Sequence, residues 1–174
     1  MNLPSGKDHR QGAKTPSKDL NEVEECLASS IVDAAIKVHT ALGPGLLESV
    51  YETCLAHELE KRGHQVKRQV MLPIHYDTLT LDAGLRMDMV VDGLAVLELK
   101  SVEHLLPVHH AQMLTYLKLS GLRLGFLLNF NVSLMKEGIS RKVLQRAKTD
   151  FNATTRMQCD FLGALGVLAV ISCS

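Results

Sequence analysis

The chain has 174 residues, which is long enough for one domain with a substantial core and short for two. Its 19 lysines and arginines balance 19 aspartates and glutamates, which argues against a protein that coats nucleic acid by bulk positive charge but not against a local basic rim. Tryptophan is absent and aromatic residues make up 4% of the chain, so base stacking on an aromatic platform is not expected.

Neither end of the chain predicts a membrane segment. Residues 1–20 are polar and lack an apolar secretory core, so we expect a disordered tail. Residues 151–174 form an apolar extension whose longest apolar run, 161–173, is shorter than the roughly 20 residues of a bilayer span. We expect this extension to be buried, or to join copies of the chain in a homo-oligomer. The four cysteines form no C-x-x-C pair, which favours reduced thiols and a cytoplasmic protein.

Residues 21–150 carry the periodic patterns expected of one α/β domain. Apolar residues at three- and four-residue steps, ended by glycine, predict helices over about 20–42, 47–63 and 107–119. Alternating or continuous apolar runs predict strands over about 66–74, 85–91, 94–100 and 125–130, with a turn and short return near 75–81. The predicted order is α-α-β-β-β-α-β.

The hairpin at residues 85–100 carries the candidate chemistry. Side chains alternate along a strand, so Glu98 and Lys100 share a face. A two-residue loop would send Glu98 away from Asp88, whereas a three-residue loop at 92–94 places Asp88 directly opposite Glu98. We therefore predict the longer loop, with the glycine of the turn in the left-handed region, or a local bulge.

Two carboxylates in such proximity repel each other unless a divalent cation lies between them. Mg²⁺ prefers carboxylate and water oxygens and keeps several waters, which suits a site that shares its ligands with a substrate phosphate. Lys100 would then orient a water molecule or stabilise transition-state charge, and the backbone carbonyl of Leu99 is a further candidate ligand. The alternative is an ordinary hairpin with one apolar and one solvated face.

Two helical pairs add to this pattern. Glu48 and Tyr51 lie one turn apart at the start of the second helix, where a Glu among apolar neighbours needs a partner if it is buried. We expect Tyr51 to pack in the core with its hydroxyl hydrogen-bonded. Gln112 and Tyr116 lie at i and i+4 on the third helix, where they can hold a DNA phosphate or form an ordinary polar face.

Three polar motifs follow one another along the chain: Asp88, Glu98-Leu99-Lys100 and Gln112-x-x-x-Tyr116. Together they resemble the PD-(D/E)XK nuclease superfamily, in the subgroup with a Q-x-x-x-Y helix, as in RecB-type nuclease domains. A fourth motif, Gly45-x-x-Glu48-x-x-Tyr51, resembles the signature of the small GxxExxY proteins, a prokaryotic group of that superfamily. The resemblance covers about residues 31–143.

The resemblance implies a restriction-endonuclease-like core, in which a mixed β-sheet is flanked by helices. It also implies Mg²⁺- or Mn²⁺-dependent hydrolysis of phosphodiester bonds, with DNA as the expected partner. The alternative is a non-catalytic nucleic-acid-binding or protein-interaction module on the same fold.

Carried over residue by residue, the resemblance makes Lys100 the catalytic lysine. The other catalytic candidates, Glu48, Asp88 and Glu98, are also the expected metal ligands, together with the carbonyl of Leu99. The substrate-binding candidates are Gln112, Tyr116 and Tyr51.

Overall fold

The structure, a computed structural model, describes residues 20–145. The predicted extension at 151–174 and nearly all of the predicted tail at 1–20 lie outside this part of the chain. Nine elements follow in the order α1 (Glu22–Leu42), α2 (Glu48–Lys61), β1 (Val66–Tyr76), β2 (Leu79–Val91), β3 (Ala95–Lys100), α3 (Pro107–Ser120), β4 (Leu124–Asn129), α4 (Met135–Gly138) and β5 (Ile139–Val143).

The strands form a mixed sheet with the spatial order β1-β2-β3-β4-β5. Only β3 and β4 run parallel, with α3 as the crossover between them, and the remaining pairs are antiparallel. This sheet flanked by helices confirms the predicted restriction-endonuclease-like core, and the first seven elements have the predicted order. The prediction omitted α4 and β5, and it divided β2, which runs unbroken from Leu79, into a short return and a strand.

The helix ends follow local chemistry. Helix α1 begins with a reciprocal capping box: the Asn21 side chain accepts the Glu24 N–H at 2.8 Å, and the Glu24 carboxylate accepts the Asn21 N–H at 2.9 Å. It ends at Gly43, whose φ of 69° lies in the region that glycine reaches without strain. No helix within residues 20–145 is long and apolar enough to cross a membrane.

The two faces of the sheet bury separate apolar clusters. Leu97 packs with residues of α1 and α2 such as Ile31, while its neighbour Val96 packs with Met113 of α3 on the opposite face. Because β3 and β4 are covered on both sides, their sequences are almost continuously apolar. Gly125 allows α3 to approach closely, since a Cβ there would lie 2.5 Å from the sulfur of Met113.

The hairpin between β2 and β3 has the predicted three-residue loop. Val91 pairs with Ala95, and Met89 pairs with Leu97, two positions further from the turn. The turn places Asp92 and Gly93 at positive φ, 52° and 65° respectively. Continued by one position beyond the Met89–Leu97 pair, this register brings residue 88 level with residue 98, as the metal hypothesis requires.

Candidate active site

A cleft of about 360 Å³ opens where β2 and β3 separate. Its wall combines the first turns of α2 with residues from three strands: Glu48, Ser49, Glu52, Gln69, Arg86, Asp88 and Leu99. Three of these, Glu48, Asp88 and Leu99, belong to the predicted metal site. The structure therefore brings residues that are about 50 positions apart in sequence into one cleft.

The carboxylates of Asp88 and Glu48 bind to the end of β3. Asp88 accepts the backbone N–H of Leu99 at 2.8 Å, and Glu48, the first residue of α2, accepts the N–H of Ser101 at 2.9 Å. Each carboxylate uses one oxygen for this bond. Burial raises the pKa of Asp88, an effect that the hydrogen bond from Leu99 opposes only in part.

Glu98 and Lys100 form a buried ion pair beside Asp88. The Lys100 ammonium donates to Oε1 of Glu98 at 2.6 Å, and Glu98 is only 2% exposed. Burial, and then the charge of Asp88, raise the pKa of Glu98 from its ordinary 4.5 to about 7. Burial alone would lower the pKa of Lys100, but the hydrogen bond and charge of Glu98 outweigh it and raise that pKa, so the ammonium stays protonated.

The donor set suits a divalent cation, although no ready-made metal cage is present. No three histidine, cysteine, aspartate or glutamate side chains within residues 20–145 converge closely enough to hold a metal ion by themselves. Oε2 of Glu98, however, is buried without a hydrogen-bond partner in this part of the chain. The negative charge of Glu48 further raises the pKa values of Asp88 and Glu98. A cation near these oxygens would reduce the repulsion among the three carboxylates and would give the Glu98 oxygen a partner.

The predicted pair on α3 lies beside this cluster and supports β2. The Gln112 amide donates to the Tyr116 hydroxyl at 2.6 Å, and that hydroxyl donates to the backbone carbonyl of Arg86 at 3.0 Å. Tyr116 is buried, and burial together with the charge of Glu98 raises its pKa. Gln112 is half-buried, so a contact with substrate remains a prediction for this pair, and the observed bonds hold α3 against β2.

Tyr51 lies apart from these side chains. It has no exposed surface, and its ring stacks on Phe130 with centroids 4.4 Å apart. Its hydroxyl donates to the Gly43 carbonyl at 2.7 Å and accepts the Leu46 N–H at 3.1 Å. The expected core position is therefore found, whereas this placement does not support the substrate-binding role also proposed for Tyr51.

Four further residues of the cleft were missed by the sequence reasoning: Ser49, Glu52, Gln69 and Arg86. Gln69 lies on β1 between the positions that pair with Met89 and Met87, has a φ of 52°, and donates its amide to Glu52 at 2.7 Å. Glu52 also accepts from Arg68 at 2.8 Å. Two sequence signals could have identified Glu52 and Arg86: the i, i+4 spacing of Glu52 from Glu48 and the i, i+2 spacing of Arg86 from Asp88.

Comparison with protein families identifies the fold and its general chemistry. A model of the PD-(D/E)XK nuclease superfamily matches residues 25–142. The chain belongs to this superfamily. The match runs from α1 into β5 and includes every residue of the candidate site, so the superfamily suggests a nuclease with a nucleic acid as its substrate. Neither the comparison with curated proteins nor the comparison with solved structures found a significant match.

Proposed function

We propose that the protein is a nuclease that uses Mg²⁺ or Mn²⁺ to hydrolyse phosphodiester bonds in DNA. The observation that carries this proposal is the cluster of Asp88, Glu98 and Lys100 at the point where β2 and β3 separate, in which Glu98 is buried and the other two are half-buried. Burying Glu98 beside the half-buried Asp88 raises the pKa of both carboxyls, a cost that the hydrogen bonds from Leu99 and Lys100 offset only in part. The binding of a divalent cation and a phosphate at this site would explain why the two acids are placed together.

The acidic side chains and Lys100 have different roles in this proposal. Glu48, Asp88 and Glu98, with the carbonyl of Leu99, would hold the cation. When bound, that ion would offset the charge of the phosphodiester and lower the pKa of a water molecule. Lys100 remains protonated at neutral pH because of its pair with Glu98, so Nζ serves as a cation that stabilises negative charge on the phosphorus oxygens, and not as a general base.

The proposal also includes the subgroup of the superfamily and the cellular setting of the protein. We assign the chain to the GxxExxY group because the spacing of Gly45, Glu48 and Tyr51 resembles that group's signature, and we extend to it the cytoplasmic, prokaryotic setting expected from the sequence. A homo-oligomer through residues 151–174 stays a prediction, since that segment lies outside the described residues.

A non-catalytic nucleic-acid-binding module is the second candidate. Two observations favour it: Asp88 and Glu48 already bind backbone N–H groups, and the acids of residues 20–145 form no closed metal cage. Such a module would bind DNA in a salt-dependent way without a divalent ion.

A cleavage assay separates the two candidates. Linear duplex, single-stranded and circular DNA would be incubated with Mg²⁺, Mn²⁺ or EDTA and with wild-type protein, Glu98→Gln or Lys100→Ala. Glu60→Gln and Lys61→Ala, two exposed residues of α2, serve as matched controls. We expect metal-dependent cleavage that falls by about 10²–10³-fold in the two site variants and is unchanged in the controls.

Two results would contradict the proposal. Cleavage that persists in both Glu98→Gln and Lys100→Ala would locate any nuclease activity elsewhere or in a contaminant. Binding of DNA by the folded wild-type protein in EDTA, with no cleavage of any substrate in any metal, would support the binding module instead.

A further inference from the structure

We propose that Arg86 binds a phosphate group of the nucleic-acid substrate in the cleft beside Asp88. This inference rests on the proposed function, and it assigns the cleft a protein cation in addition to Lys100.

The first support is the position of the side chain. Arg86 lines the same cleft as Asp88 and lies two residues before it on β2, so side-chain alternation directs both toward the same side of the strand. Its own backbone is anchored, since its carbonyl accepts the Tyr116 hydroxyl at 3.0 Å. The side chain itself is exposed. Because its backbone is fixed and its guanidinium faces solvent, Arg86 is placed to bind a ligand that enters the cleft from solution.

The second support is that the Arg86 guanidinium lacks a partner among the described residues, although three acids line the same cleft. The guanidinium makes no ion pair or hydrogen bond within the described residues. The neighbouring cations already form ion pairs: Arg68 donates to Glu52 at 2.8 Å, and Lys100 donates to Glu98 at 2.6 Å. Among the described residues that line this cleft, Arg86 is therefore the cation whose charge is not used in an ion pair.

The third support is the charge that a substrate would meet. A phosphodiester entering the cleft approaches Glu48, Glu52 and Asp88, and it would be repelled without compensating positive charge. A divalent cation compensates on the side of the acids. The planar guanidinium of Arg86 offers two parallel N–H donors, the geometry that fits phosphate oxygens. A lysine ammonium at this position would supply the positive charge but not the two parallel N–H donors.

The test compares Arg86→Ala and Arg86→Lys with Lys67→Ala, which removes an exposed cation of β1 that does not line the cleft. With the DNA substrate that the wild type cleaves, we expect kcat/KM to fall by about 10²-fold in Arg86→Ala, with partial recovery in Arg86→Lys. Lys67→Ala should match the wild type. Thermal unfolding of all three should match the wild type, because both side chains are exposed.

Binding provides a readout that a purely structural role would not change. The affinity for a short fluorescent DNA duplex would be measured at several salt concentrations, in a Glu98→Gln background to keep the duplex intact. We expect the slope of log K against log[salt] to fall by about one for Arg86→Ala, the value for one lost phosphate contact, and not for Lys67→Ala.

The outcomes separate the two proposals. A wild type that cleaves, with Arg86→Ala unchanged in both rate and salt slope, would overturn the role of Arg86 and leave the nuclease assignment intact. A wild type that binds but never cleaves, with a reduced slope in Arg86→Ala, would overturn the nuclease assignment and support the phosphate contact. A protein that does neither overturns both.

Discussion

The buried carboxyl of Glu98 makes folding stability depend on pH in a predictable direction. Its pKa rises from 4.5 to about 7 on folding, mainly because burial disfavours the charged form. Between these values the native state binds the proton more tightly than the unfolded state does. The stabilisation from Glu98 is therefore fully present below pH 4.5, and it is lost as the pH rises through 7.

The size of the effect follows from the same shift. One pKa unit corresponds to about 1.4 kcal/mol, so the loss between the two pKa values is about 3 kcal/mol at most. Glu98 is 2% exposed, so solvent screening reduces this value little, and the influence of Lys100 is already included in the shift. For a protein of this size, such a loss lowers Tm by roughly 6–12 °C.

Glu98→Gln removes the titration while keeping the shape of the side chain. We expect the free energy of unfolding of the wild type, measured by urea titration, to fall between pH 4.5 and 7 relative to that of Glu98→Gln. The exposed Glu60→Gln variant controls for the loss of one carboxylate. Parallel stability curves for the wild type and Glu98→Gln would show that Glu98 titrates normally, and would remove the electrostatic argument for a cation site.

Two further changes test the packing around the site. Tyr51→Phe removes the hydroxyl that bonds to Gly43 and Leu46, so we expect a loss of about 1–2 kcal/mol in urea unfolding. An unchanged stability would mean that the loop does not depend on these bonds. Gly138→Ala would place a Cβ against the backbone carbonyl oxygen of Asn129, so we expect a loss of about 1–3 kcal/mol and a lower Tm, and an unchanged Tm would contradict the close contact.

The hairpin of β2 and β3 was the most predictable part of the fold. Its register follows from strand alternation and from the choice between two loop lengths, and the chemistry of Asp88 and Glu98 selected the longer loop, which the structure has. The three long helices were also predictable, because helical periodicity depends only on residues that are close in sequence.

The errors concern features that depend on distant contacts. Strand β5 contains Ser140, Arg141 and Lys142, and within residues 20–145 it pairs with β4 alone. Its polar composition is that of an edge strand and is hard to distinguish from a loop. The cleft residue Gln69 was missed because its importance lies in a backbone φ of 52° and a partner on α2, neither of which the sequence displays.

The GxxExxY signature illustrates the difference between recognising a motif and assigning roles to its residues. The Tyr51 hydroxyl bridges Gly43 and Leu46, which fixes the loop before α2. The Leu46 carbonyl then accepts the Ser101 hydroxyl at 2.7 Å, and the Ser101 N–H donates to Glu48. Tyr51 thus acts on the site through the loop, which holds Glu48 against the residue after Lys100. In this arrangement the motif joins α2 to β3, and only its glutamate lies in the cleft.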